Sequence, residues 1–138
     1  MNKAEIEKIL PHRTPMLLLD TAELIEGEAV GTYTVRGDEF FLQGHFPDNP
    51  VVPGVILCEM MAQACCVLLQ NEIKGKVTPY FTGLNKVKFR EKVLPSDTVI
   101  LKCRVEKQKP PFYFASGTAT VNDKIAAEGE FSFALLED

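Results

Sequence analysis

Apolar residues follow two different rhythms along the chain, and the change of rhythm divides the sequence. From Gly54 to about Ile73 there is no proline or internal glycine, and Leu, Met, Ala, Glu and Gln dominate, which predicts one long helix. Its apolar residues fall on nearly every face, as in a helix enclosed by other structure, and Gly75 is expected to end it. Beyond it the period becomes two. "YFTGLNKVKF", "TVILKCRVEKQ", "FYFASGTATV" and "KIAAEGEFSFALL" read as four strands separated by "LPSD", "KPP" and "ND" turns. Upstream, "LLLDTAELIEGEAVGTYTV", residues 17–35, reads as two strands turning near Glu26 and Gly27. Asn2 and Glu5 form a capping pair for a short helix over residues 3–9, which must close before Pro11. The order is helix, two strands, long helix, four strands. No βαβ alternation occurs, so the fold class is α+β: an antiparallel sheet of about six strands wrapped around one long central helix.

Composition narrows the setting. At 138 residues and 15.4 kDa, residues 1–138 are expected to form a single domain. The most apolar run, Val55 to Leu69, is interrupted by Glu59 and Gln63 and is too short to span a bilayer. "MNKAEIEKIL" at the start has no uninterrupted apolar stretch and cannot act as a signal peptide, so a cytoplasmic location is expected. Cys58, Cys65, Cys66 and Cys103 show no C-x-x-C pair, so they read as buried reduced thiols and no metal site is expected.

The net charge of −4 argues against nucleic acid as a partner, but the charge is unevenly spread. Eight of the 15 basic residues lie between Lys86 and Lys109, among only three acids. Lys86, Lys88, Arg90 and Lys92 alternate with other residues, so on an unbroken strand they would share one face.

Candidate chemistry starts with Glu59, a carboxylate in the middle of the enclosed helix. A buried charge is costly unless paired, protonated or functional, and Gln63 at i+4 is placed to hydrogen-bond it. Desolvation favours the protonated carboxyl, which suits a general acid. The alternative is that Glu59 emerges at a sheet or subunit edge and meets water or an arginine. In "GHFPDNPVVPG", residues 44–54, Pro47, Pro50 and Pro53 stiffen the loop and present His45 at a fixed position. A neutral imidazole there suits general-base work. Gly54 opens the helix, where free N–H groups stabilise negative charge. Glu59 follows at a rise of roughly 7.5 Å. A base, an acid and an oxyanion donor are what elimination of water from a 3-hydroxyacyl thioester requires.

"GHFPDNPVVPGVILCEMMAQA" resembles the signature of (3R)-hydroxyacyl-[acyl-carrier-protein] dehydratases of the FabZ type, whose fold is the hot dog. "ILPHRTPMLLLD", "YFTGLNKVKFREKVLPSDTV" and "AAEGEFSFAL" extend the resemblance over essentially the whole chain. The resemblance implies His45 and Glu59 as the catalytic pair, with Gly54 as the backbone donor, and no cofactor. It further implies a homodimer whose site joins His45 of one subunit to Glu59 of the other, with dimers often assembling as a trimer of dimers. The substrate would arrive as a 3-hydroxyacyl chain on the phosphopantetheine arm of an acidic acyl carrier protein, for which Lys86, Lys88, Arg90 and Lys92 form a docking face in fatty acid elongation. Ser96 departs from the family pattern in "PSD", as does the Cys65–Cys66 pair; both bear on packing. His12 in "LPHRTP" is assigned a structural role. Three rival readings remain at this stage: a dehydratase that also isomerises its product to the cis-3-enoyl chain, a hot-dog thioesterase, and a non-catalytic acyl-carrier binding module.

Overall fold

The computed structural model describes residues 1–73 and 77–137. Helix α1 spans Lys3–Ile6. The expected capping box is present, with Asn2 Oδ1 accepting from the Glu5 N–H at 3.0 Å and Glu5 Oε1 accepting from the Asn2 N–H at 3.1 Å. The helix is shorter than expected because residues 7–9 continue as tighter turns. Strands β1 (Thr21–Ile25) and β2 (Glu28–Thr34) meet at Glu26 and Gly27, which both take positive φ, 49° and 83°. That is the backbone of a two-residue hairpin turn matched to strand twist.

Helix α2 (Gly54–Val67) is followed by β3 (Val77–Phe89), β4 (Thr98–Lys109), β5 (Phe112–Val121) and β6 (Lys124–Glu137). The helix stops short of Ile73. After Val67 the N–H groups of Leu68, Leu69 and Gln70 turn to carbonyls three residues back, at 2.9, 3.0 and 3.3 Å, which tightens the chain out of the α geometry. Gly75, expected to end it, lies outside the described residues.

The six strands form one antiparallel sheet in the order β1-β2-β4-β5-β6-β3. α2 lies in its concave face against β1, β2, β4, β5 and β6. In β4 burial alternates strictly around Val99, Leu101 and Cys103, so the two-residue period of the sequence reports the inner face. Ten residues of α2, from Leu57 to Val67, are buried, including the Gln63 side chain. All four cysteines are free and buried, and burial pushes the Cys65 thiol up to about 12. They pack as small hydrophobes and are poor nucleophiles.

β3 differs from its neighbours. It lies at the sheet edge, is largely exposed, and leaves Tyr80, Phe81, Leu84 and Phe89 between 42% and 54% accessible. Its ladder with β6 shifts register between Asn85 and Lys88, where Lys86 takes φ +52°. This bulge breaks the alternation on which a single basic face depended, and the strand ends at Phe89, before Arg90 and Lys92.

Between β2 and the helix, the chain is pinned by a buried carboxylate. Glu39, 5% exposed, accepts hydrogen bonds from Tyr33 Oη, the Arg36 N–H and the Gly37 N–H, each at 2.8 Å. Burial alone would raise its pKa, but these donors outweigh it and the net direction is down. Glu39→Gln turns an N–H₂ toward donors and should cost roughly 2–4 kcal/mol of stability at neutral pH. Because the folded carboxyl titrates below its ordinary 4.5, the wild-type advantage is complete above that value. It is lost as pH falls through the lowered value, so denaturant midpoints of the two proteins should converge on the acidic side.

Candidate active site

His45 sits where the chain is most constrained. Both flanking residues take left-handed backbone, Gly44 at φ +80° and Phe46 at φ +53°; for Phe46 this is a strained conformation of the kind concentrated at functional sites. The Phe46 ring lies 4.2 Å from the imidazole, centroid to centroid. A turn from Asn49 N–H to Phe46 O at 2.7 Å and a tie from Val52 N–H to Val93 O at 2.9 Å hold the proline loop against the body. His45 Nδ1 is 2.9 Å from Val51 O. A carbonyl only accepts, so Nδ1 carries the hydrogen of the neutral ring, and Nε2 keeps its lone pair. The loop therefore presents a base by its Nε2.

Gly54 is the first residue of α2, so its N–H has no acceptor within the helix. A Cβ there would stand 2.6–2.9 Å from three carbons of the Phe89 ring. The bare Cα is thus taken up by Phe89 from the end of β3, and packing as well as access to the N–H requires glycine. His45, Gly54, Phe89, Arg90 and Lys92 line one cleft of ≈ 610 Å³.

Glu59 lies on a different face of the helix, half-buried, with its side chain 22% exposed. Its surroundings are organised by Gln63, which is buried and makes three hydrogen bonds. Gln63 Oε1 accepts from the Leu18 N–H at 2.8 Å, while Nε2 donates to Met16 O at 2.8 Å and to Glu59 Oε2 at 2.9 Å. The backbone partners admit only one orientation of the amide, because Leu18 offers a donor and Met16 an acceptor. Glu59 Oε2 must therefore receive an N–H, and Oε1 is the oxygen that Gln63 leaves free.

The same oxygen has a partner that the sequence reading did not place there. His12 Nε2 is 3.3 Å from Glu59 Oε2. His12, Glu59, Gln63, Tyr80 and Phe81 are among the residues around a narrow pocket of ≈ 30 Å³, room for little more than a water-sized group. This pocket shares no lining residue with the His45 cleft. Within one chain, then, His45 and Glu59 open to different spaces. Among the described residues no cluster has the makings of a metal site.

A family model described as a FabA-like domain matches residues 10–130. A relative named 3-hydroxyacyl-[acyl-carrier-protein] dehydratase FabZ, from Clostridium perfringens, is 49% identical over 98% of this chain and 99% of its own length. A protein of the same name from Clostridium tetani is 46% identical over 95% of this chain and 94% of its own. The chain belongs to the FabA-like family and is of the FabZ type.

Solved structures agree on the fold. The dehydratase heterocomplex ApeI:P of Xenorhabdus doucetiae superposes with a TM-score of 0.84 over 96% of this chain and 91% of that one, at 19% identity. A putative thioesterase of Ralstonia eutropha gives 0.66 over 95% and 98%, at 15% identity. The hot-dog architecture is thus common to different activities, and the FabZ-type assignment rests on the near-half sequence identity and on the family model.

In this FabZ-type chain the four candidate docking cations are dispersed. Arg90 and Lys92 border the His45 cleft. Lys86 lies 3.9 Å from Glu130, and Arg90 lies 2.9 Å from Glu128, so two of the four already have anionic partners on β6. Among the described residues no ion pair engages Lys88 or Lys92.

Proposed function

We propose that this chain dehydrates (3R)-hydroxyacyl chains on acyl carrier protein to trans-2-enoyl chains in fatty acid elongation. His45 Nε2 takes the proton α to the thioester carbonyl, and the Gly54 N–H stabilises the oxygen as it becomes enolate-like. Glu59 gives its Oε1 proton to the β-hydroxyl, which departs as water while the carbon–carbon double bond forms. The observation that carries this reading is the opposite preparation of the two groups. Val51 O leaves His45 with a free lone pair at Nε2, and Gln63 engages Glu59 at Oε2, leaving Oε1 as the oxygen open to the substrate.

The two reacting groups open to separate spaces in one chain, and β3 offers an exposed apolar edge. Both features support a homodimer in which the His45 cleft of one subunit faces the Glu59 pocket of the other; that three such dimers form a hexamer is proposed on the family resemblance alone. Unpaired strand edges of this length are ready templates for pairing with a second chain.

Incubation with a 3-hydroxyacyl carrier should generate enoyl absorbance, and His45→Ala or Glu59→Gln should slow it by at least about a thousandfold. Release of free thiol in place of enoyl product would overturn the dehydratase reading. A cis-3 product would show that isomerisation follows.

The carrier is proposed to approach over Lys86, Lys88, Arg90 and Lys92. Lys86 and Arg90 are engaged internally and Lys88 stands opposite Glu128 across the β3–β6 ladder, so the attraction should be strongest at Lys92, with Lys88 sharing its charge between Glu128 and the carrier. Lys88→Glu with Lys92→Glu should lower kcat/KM for carrier-bound substrate about tenfold at low salt, with the deficit shrinking as salt rises. A small thioester analogue should be turned over as before; equal losses on both substrates would remove the docking role.

A further inference from the structure

Residues 10–18 form a strap across the start of the molecule that ends on the acid. Arg13 locks it from within: its Nη1 donates to Leu10 O at 2.9 Å and to His12 O at 2.8 Å, and its Nη2 donates to Glu7 O at 3.1 Å. Gln63 binds it to α2 through Met16 and Leu18. His12 is thereby delivered to Glu59 from a distant part of the sequence. Its other ring nitrogen, Nδ1, is buried and, among the described residues, has no hydrogen-bond partner.

A buried, unpartnered nitrogen costs stability, and an apolar side chain of similar size would fill the same space without that cost. Residues that break a local rule in this way mark function more often than packing. The tautomer follows from the same atoms. With its hydrogen on Nδ1, the ring would bury an orphan donor, the rarer defect; with it on Nε2, the hydrogen is on the nitrogen that stands 3.3 Å from Glu59 Oε2, close enough for electrostatic attraction without the alignment of a hydrogen bond.

We propose that His12 is a positioning residue for the acid: the Gln63 amide holds Glu59 Oε2 by a hydrogen bond, and the His12 Nε2–H, 3.3 Å from the same oxygen, closes on it and stabilises the charge that Glu59 acquires on giving up its Oε1 proton. The inference rests on the dehydration reading above. Before transfer the two N–H groups face a neutral carboxyl; after transfer they face a carboxylate, and their attraction to it strengthens as charge develops. The setting magnifies the effect, since Pro79, Phe81 and Phe133 form much of the wall. The other groups facing Glu59 are Cys66 from its own helix, whose thiol burial holds well above its ordinary range, and Tyr80 from β3.

The test is His12→Leu beside His12→Gln, whose amide keeps an N–H within reach of Glu59. His12→Leu should lose about tenfold to a hundredfold in kcat, with KM changed by less than about twofold. His12→Gln should recover most of the loss. Without the donor the Glu59 carboxylate is less stable, so Glu59 holds its proton to higher pH, and the alkaline limb of the kcat profile should move upward. In a Glu59→Gln background His12→Leu should cause no further loss. An unmoved alkaline limb, or losses that multiply with Glu59→Gln, would overturn the proposal. Should His12→Leu fold poorly, the same limb is read in His12→Asn, which is too short to reach Oε2. If Glu59→Gln itself keeps full turnover, the acid assignment fails. If Glu59 matters and His12 does not, only the present inference fails.

Discussion

Mixed dimers of His45→Ala and Glu59→Gln subunits should regain activity that neither variant has alone. Each single variant removes one member of every site and should lose at least about a thousandfold in kcat. When the two are unfolded and refolded together in equal amounts, half of the dimers pair unlike chains. In such a dimer one site combines His45 of the Glu59→Gln chain with Glu59 of the His45→Ala chain and is intact, while the other site lacks both groups. Turnover should therefore return to about a quarter of wild type. A site completed within one chain could not be restored in this way, and a mixture no more active than its components would sink the shared site. The expectation follows from the two pockets: the His45 cleft and the Glu59 pocket have no lining residue in common.

Gln63→Leu should be the most damaging single change outside the reacting groups. It leaves the buried Leu18 N–H without an acceptor and removes the N–H from Glu59 Oε2. The orphaned donor, with the freed Met16 carbonyl, should cost about 2–4 kcal/mol, a fall in Tm of about 10 °C for a chain of this size. Activity should drop further than stability explains, because the acid loses a partner as well. Gln63→Glu separates the causes, being nearly isosteric and able to satisfy Leu18 N–H. As an anion it cannot donate to Met16 O, and it sets a second negative charge against Glu59. Repulsion holds its proton to higher pH, so the defect should be severe at neutral pH and ease toward pH 5. Calorimetry across that range distinguishes it from Gln63→Leu, whose defect should not depend on pH in this way.

Most of the fold was legible because burial on one face writes a period into the sequence. The alternation of Val99, Leu101 and Cys103 in β4 and the Asn122–Asp123 turn before β6 could be read directly. The end of α2 could not, since Leu68 to Ile73 remain good helix formers and the turns that replace the helix answer to tertiary packing. The bulge at Lys86 was equally silent, and it is what divides the basic stripe.

At the site, His45, Gly54, Glu59 and Gln63 lie within nineteen positions and each breaks a local expectation, so each drew attention. In sequence His12 reads only as a structural residue, because its partner lies 47 positions away and only the folded chain brings the two together. Arg13 gave no signal for a similar reason: its acceptors are backbone carbonyls, which every residue possesses.

The strap over residues 10–18 also bears on how the protein fails with heat. Its ends, Leu10 and Leu17–Leu18, are buried in the core, but the stretch between them, Pro11 to Met16, is mostly exposed and is held by the Arg13 guanidinium and carbonyl and by the Gln63 amide, whereas the sheet beneath is held by continuous ladders. That middle stretch can open locally while the core stays folded. When it opens, the Gln63 amide loses the Met16 carbonyl, and Glu59 loses His12. Activity should therefore disappear on warming before the strands melt, so that the temperature at which this chain stops working is set by six residues on its surface.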